Sequence, residues 1–139
     1  MAQGTSPTDL DPIQPSPHVA ATVLCVEDEE PQLKLRKLLL ESAGFQVVTA
    51  ESGKKAMELL RTQHVDAAIV DYWMPGMNGL ALAREIKRVY PNTPVIIFSA
   101  YTYLPDEVIG SADLWLRKAE VDPDELLTHI RQLIAKRAS

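Results

Sequence analysis

"AAIVDYWMPGMNG", residues 67–79, reads as a short strand that ends in a charge. Ala67 to Val70 are apolar without alternation, as in a strand covered on both faces. Asp71 closes the run, Tyr72 and Trp73 follow, and Pro75-Gly76 supplies a turn. The helical periodicity of "LALAREIKRVY" (80–90) begins soon afterwards. Strand, turn and helix in so short a space are the first half of a βαβ unit. A carboxylate at the mouth of a buried strand needs a reason, because an uncompensated charge there is costly.

The same unit recurs on either side. "TVLCV" (22–26) is an apolar strand, followed by the helix "EPQLKLRKLLLESAG" (30–44), with Pro31 suited to its first turn and Gly44 to its C′ position. "QVVTA" (46–50) is a second strand, and Ser52 can cap the helix "GKKAMELLRTQH" (53–64). The third strand spans 66–71. "VIIFS" (95–99) follows Pro91 and Pro94, and "DLWLR" (113–117) is the fifth strand. Asp122, Pro123, Asp124 and Glu125 then supply an N-cap, a first-position proline and two first-turn acids for "LLTHIRQLIAKR". These units predict an α/β fold: a flavodoxin-like, doubly wound five-stranded parallel sheet, order 2-1-3-4-5, with helices on both faces. Between the fourth and fifth strands only "YTYLPDEVIGSA" (101–112) is available, close to the minimum of ~10–12 residues for a crossover. Pro105 and Gly110 shorten it further, so a stunted helix is expected there.

At 139 residues the chain holds one ordinary domain. Residues 1–19, with Pro7, Pro12, Pro15 and Pro17 and no period, are expected to form a disordered Pro-rich arm, leaving 20–137 as the domain. A net charge of -5 argues against a nucleic-acid partner, and Lys34, Lys37, Lys54 and Lys55 are spread as solvated surface. Cys25 is the only cysteine, so no intrachain disulfide is possible, and its apolar strand makes it a core residue. Neither a transmembrane run nor a signal peptide is visible, so a cytoplasmic location without a membrane partner is expected. The chain ends in "RQLIAKRAS" soon after the last helix, and no output domain is expected to follow.

In an open parallel α/β sheet, ligands bind beyond the carboxyl ends of the strands, where strand order reverses. Here those ends carry Glu27 and Asp28, Asp71, Ser99 and Lys118. Each has an ordinary explanation: acids before a helix complement its dipole, Asp71 can satisfy turn amides, Ser99 can make a local turn, and Lys118 can be solvated. Together they are harder to dismiss, because three carboxylates converging with one lysine repel one another. Such a cluster suits a hard divalent cation such as Mg²⁺. Zinc is disfavoured, since His18, His64 and His129 are scattered and the cysteine lies inside a strand. A carboxylate can also attack phosphorus to give an acyl phosphate. A cation, an ammonium and a hydroxyl supply the positioning and charge neutralisation that such a transfer needs. Neither a Walker pattern nor GxGxxG occurs, and Ser99 lacks a nucleophile elbow.

With "VLCVEDEE", "IVDYWMPGMNG", "VIIFSA" and "LWLRK" in this order, the chain resembles the receiver domain of two-component response regulators over roughly residues 22–135. The resemblance implies that Asp71 accepts a phosphoryl group from a histidine kinase or histidine phosphotransfer protein. Asp28 would ligate Mg²⁺ directly, Glu27 would assist, and the backbone carbonyl of Trp73 would be a further ligand. Ser99 would hydrogen-bond the phosphoryl group and shift toward it on activation, and Lys118 would pair with a phosphoryl oxygen. Trp115 occupies an aromatic switch position whose rotamer follows Ser99. Trp73 and Tyr101 flank the path of the attacking water, which implies slow autodephosphorylation.

Three features depart from the family pattern. Glu27 stands where aspartate is common. Ala119 stands where a proline usually follows a cis bond, so a trans bond is expected after Lys118. The helix before the fifth strand is short. The function implied is a single-domain, Mg²⁺-dependent response regulator signalling by contact with a downstream protein, and not an enzyme beyond its own phosphotransfer. The alternative is a pseudo-receiver, an interaction module independent of phosphorylation.

Overall fold

The computed structural model describes residues 20–100 and 110–138. The expected strands form as β1 (Thr22–Val26), β2 (Gln46–Ala50), β3 (Ala67–Asp71), β4 (Val95–Ser99) and β5 (Leu114–Arg117). The described helices are α1 (Glu30–Ser42), α2 (Gly53–Thr62), α3 (Gly79–Val89) and α4 (Pro123–Ala138). Every strand pairing is parallel and the order is β2-β1-β3-β4-β5. This is the expected flavodoxin-like order, with its reversal between β1 and β3. The Pro-rich arm, Tyr101 and the short helix expected before β5 fall outside the described residues.

Strand alternation sorts the core into two layers. Val23 and Cys25 of β1, Ile69 of β3, Ile96 and Phe98 of β4 and Leu116 of β5 pack with Leu33 and Leu40 of α1 and Leu126, Leu127 and Ile130 of α4. Leu24, Val26, Ala68, Val70, Val95 and Ile97 take the other side, with Ala56 and Leu60 of α2 and Leu82, Ala83 and Ile86 of α3. Cys25 is buried as expected, and burial pushes its thiol up to about 12.

Helix ends follow local chemistry. Ser52 caps α2 by accepting from the Lys55 amide, and Gly44, at φ 96°, takes the left-handed position after α1. Asp122 and Glu125 bond reciprocally across the first turn of α4, at 2.8 and 3.0 Å, in a capping box. The helix expected over 80–90 starts at Gly79, because the Asn78 side chain accepts from the Ala81 amide at 2.9 Å. The fifth strand starts after Asp113. That carboxylate instead accepts from the Val95 amide and from Lys87, clamping the edge of the sheet.

At the amino ends of the strands, Asp66 accepts from the Thr22 amide at 2.8 Å, from Arg137 at 2.9 Å and from His64 at 3.1 Å. Burial alone would raise its pKa, but these donors outweigh burial and hold it below the ordinary aspartate value. The resulting stabilisation is complete above about pH 4 and is lost as pH falls through the lowered value. Asp66→Asn is therefore expected to lower the melting temperature at neutral pH. Its difference from the wild type should shrink below about pH 4 in a thermal-melt series. No described helix is long and apolar enough to cross a membrane.

Candidate functional site

Val26 and Val70 are partners in the parallel ladder, so the next residues along β1 and β3, Glu27 and Asp71, emerge side by side at the reversal of strand order. The Glu27 amide still bonds the Ala50 carbonyl at 3.1 Å, which extends the sheet under its side chain. Glu27 and Asp71 are buried, while Asp28 sits at the exposed rim. One carboxylate oxygen from each lies within 4.8 Å of the other two. An all-oxygen set with one member open to water is the donor chemistry that Mg²⁺ accepts, its remaining positions being filled by water or phosphate oxygens.

Lys118 enters from the end of β5. Its amide donates to the Ser99 carbonyl at 2.7 Å, continuing the β4–β5 pairing by one residue. Its Nζ lies 2.8 Å from Asp71 Oδ1 and 3.4 Å from Glu27 Oε1. No cis peptide bond occurs among the described residues, so Lys118 reaches the carboxylates with the trans bond expected before Ala119.

A second cation stands opposite, and the sequence reading passed over it. Arg36 of α1 lies on the buried face of that helix with Leu33 and Leu40, and its Nη1 is 3.4 Å from Glu27 Oε1. Its guanidinium centre is 4.9 Å from the centroid of Phe98, whose ring Lys118 also approaches, at 5.7 Å. Charges therefore alternate through the site: Arg36, Glu27, Lys118, Asp71. Burial, and then the negative charge of Asp71, push the Glu27 carboxyl above its ordinary pKa, and Lys118, Arg36 and the Glu29 amide pull it back. The available signal was an arginine at apolar spacing, three residues after Leu33 and four before Leu40.

Ser99 is fully buried at the end of β4, one residue beyond Phe98, the ladder partner of Asp71. Trp115 is half-buried on β5, with its ring 5.7 Å from that of Tyr72. Tyr72 in turn stands 6.5 Å from Trp73, so a row of three rings runs from β5 to the mouth of β3. Trp73 is 65% exposed, beside a buried Asp71. Gly79 closes the turn: its amide donates to the Tyr72 carbonyl at 2.7 Å. A Cβ there would lie 2.7 Å from Tyr72 Cα and would also strike the Asp71 carbonyl oxygen.

Residues 23–131 match the response regulator receiver domain family. The chain is 44% identical to the transcriptional regulatory protein GlrR of Escherichia coli over 94 residues, which is 68% of this chain and 21% of that protein. The chain thus spans about a fifth of the length of this curated relative. Among solved structures, the response regulator TrrA of Thermotoga maritima, in complex with Mg²⁺-BeF, superposes with a TM-score of 0.76 at 32% identity, covering 81% of this chain and 98% of that one. A receiver domain from Clostridium thermocellum gives 0.78 at 30% identity, covering 85% and 97%. The match runs from the second residue of β1 into the last helix, over a sheet of the same order, and the chain belongs to the response regulator receiver domain family of two-component systems.

Proposed function

We propose that Asp71 is a phosphoacceptor, served by Mg²⁺, and that the chain relays a signal from a histidine kinase or histidine phosphotransfer protein to a downstream protein by contact. The observation that carries this reading is the convergence of Lys118 with the three clustered carboxylates of Glu27, Asp28 and Asp71. In the transfer, an Asp71 carboxylate oxygen attacks phosphorus, the P–N bond of the donor phosphohistidine breaks, and its electron pair leaves with the imidazole. Glu27, Asp28, Asp71 and the Trp73 carbonyl would hold Mg²⁺, which supplies charge neutralisation on the phosphoryl oxygens when bound. Lys118, already against Asp71, shifts onto a phosphoryl oxygen as charge moves there, and the Ser99 hydroxyl donates to another. Trp115 is the switch aromatic in this reading. The receiver unit is 20–137 with 1–19 as an arm, working in the cytoplasm, with no nucleic-acid or membrane partner and no substrate besides the phosphodonor. The test is Mg²⁺-dependent labelling of the chain by a small phosphodonor.

Trp73 and Tyr101 are proposed to screen the acyl phosphate from water and make autodephosphorylation slow. The exposed ring of Trp73 stands within two residues of Asp71, which supports its part in this. Trp73→Asn is expected to shorten the phosphoryl half-life several-fold with uptake retained. An unchanged half-life in a label-and-chase measurement would remove Trp73 from this role.

A further inference from the structure

We infer that Arg36 is a positioning residue for Lys118: by neutralising Glu27 from the α1 side, it leaves the lysine to Asp71 and to the phosphoryl group that Asp71 receives. The inference rests on the reading of Asp71 as phosphoacceptor and adds a residue that never touches the phosphoryl group.

Arg36 is 6% exposed on a face otherwise made by Leu33 and Leu40. A leucine-like side chain would fill such a place without the cost of desolvating a guanidinium. What the charge gains there is Glu27, itself 2% exposed, and among the described residues this is the ion pair Arg36 makes. Glu27 Oε1 is met by two cations at the same distance, 3.4 Å to Arg36 and 3.4 Å to Lys118, whereas Lys118 is closer to Asp71, at 2.8 Å.

Two buried carboxylates thus face two cations, and the lysine leans to one of them. Without Arg36, Lys118 would be the one side-chain cation, among the described residues, left to serve both. The deeper carboxylate, Glu27, 2% exposed against 6% for Asp71, has the greater need of a partner. Lys118 would then be drawn toward Glu27 and away from the place where phosphoryl oxygens arrive. Phe98 supports the arrangement from below, with its ring against both cations.

The experiment is a titration of the full chain with beryllofluoride in the presence of Mg²⁺, read by tryptophan fluorescence, with circular dichroism as a check on folding. Arg36→Met is expected to weaken beryllofluoride binding by about tenfold, the factor that corresponds to one charge-assisted contact. Arg36→Lys should restore most of that loss, since a cation returns to Glu27. In a Glu27→Gln background, Arg36→Met should change binding less than about twofold, because the carboxylate through which Arg36 acts has lost its charge. Arg36→Gln replaces Arg36→Met should the latter not fold. Wild-type binding in the folded Arg36→Met chain, or an equal loss in the Glu27→Gln background, would overturn the inference and make Arg36 a packing residue. A wild-type chain that binds no beryllofluoride, or an Asp71→Asn chain that binds it as well as wild type, would overturn the phosphoacceptor reading itself, and the inference with it.

Discussion

Asp71→Asn is expected to abolish Mg²⁺-dependent labelling by acetyl phosphate or phosphoramidate. The amide has the shape of the carboxylate but neither its charge nor its nucleophilicity toward phosphorus. It also removes the anion that holds Lys118 at 2.8 Å, so the donor's phosphoryl group meets a lysine no longer aimed at the point of attack. The loss is expected to be complete, because no other group in the site combines burial, a neighbouring ammonium and a place at the end of β3. The fold should survive: β3 is fully buried along its length and held by both neighbouring strands, and the substitution leaves side-chain volume almost unchanged. Quantified incorporation with matched circular dichroism spectra makes the comparison. Undiminished labelling would sink the assignment of Asp71. Absence of labelling in the wild type, together with no Mg²⁺ affinity in a tryptophan-quenching titration, would instead favour a pseudo-receiver.

Gly79→Ala is expected to be the most damaging glycine-to-alanine change among the described residues. What forbids a side chain there is space, not backbone conformation, since the clash is with main-chain atoms of Asp71 and Tyr72 that cannot rotate away. The first turn of α3 would have to withdraw from the end of β3, and the Gly79–Tyr72 bond would lengthen with it. Overpacking of this kind costs ~1–3 kcal/mol, and rigid backbone places this case toward the upper end. Urea denaturation should show that loss. Labelling should fall as well, because the carbonyl that must move belongs to the phosphoacceptor residue. A chain with wild-type midpoint and wild-type labelling would show that the turn has slack. Gly76, at φ 85° with open space around it, makes the contrasting case: strain of conformation without crowding.

Much of the fold could be read from the sequence because five apolar runs were separated by helix starts and stops of recognisable chemistry. Ser52, Gly44 and the Asp122–Glu125 pair act as their residue types suggest. The helix expected from Leu80 starts one residue earlier, at Gly79, because the Asn78 side chain supplies the cap. Asp113 misled because its carboxylate bonds to the main chain of a neighbouring strand, a partner no local pattern reveals. In the site, Glu27, Asp28, Asp71 and Lys118 were legible since strand order alone brings the carboxyl ends of β1, β3 and β5 to one edge. Arg36 was not. Leucines surround α1 on most of its circumference, and Leu35 and Leu38 turn out exposed while Arg36 is buried. Only the side bearing Glu30, Lys34, Lys37 and Glu41 is free of leucine, so the apolar arc is wider than the face that is covered, and an arginine inside it reads as surface.

The position of Cys25 has a practical corollary. Its thiol is enclosed at the centre of the sheet and held protonated at ordinary pH, so alkylating reagents have neither access nor a thiolate to attack. A cysteine placed on any exposed helix face becomes the sole reactive handle, and a spectroscopic probe can be attached without replacing the native residue. Alkylation of Cys25 itself then serves as a clock: it proceeds only when β1 parts from its neighbours, and its rate counts those openings.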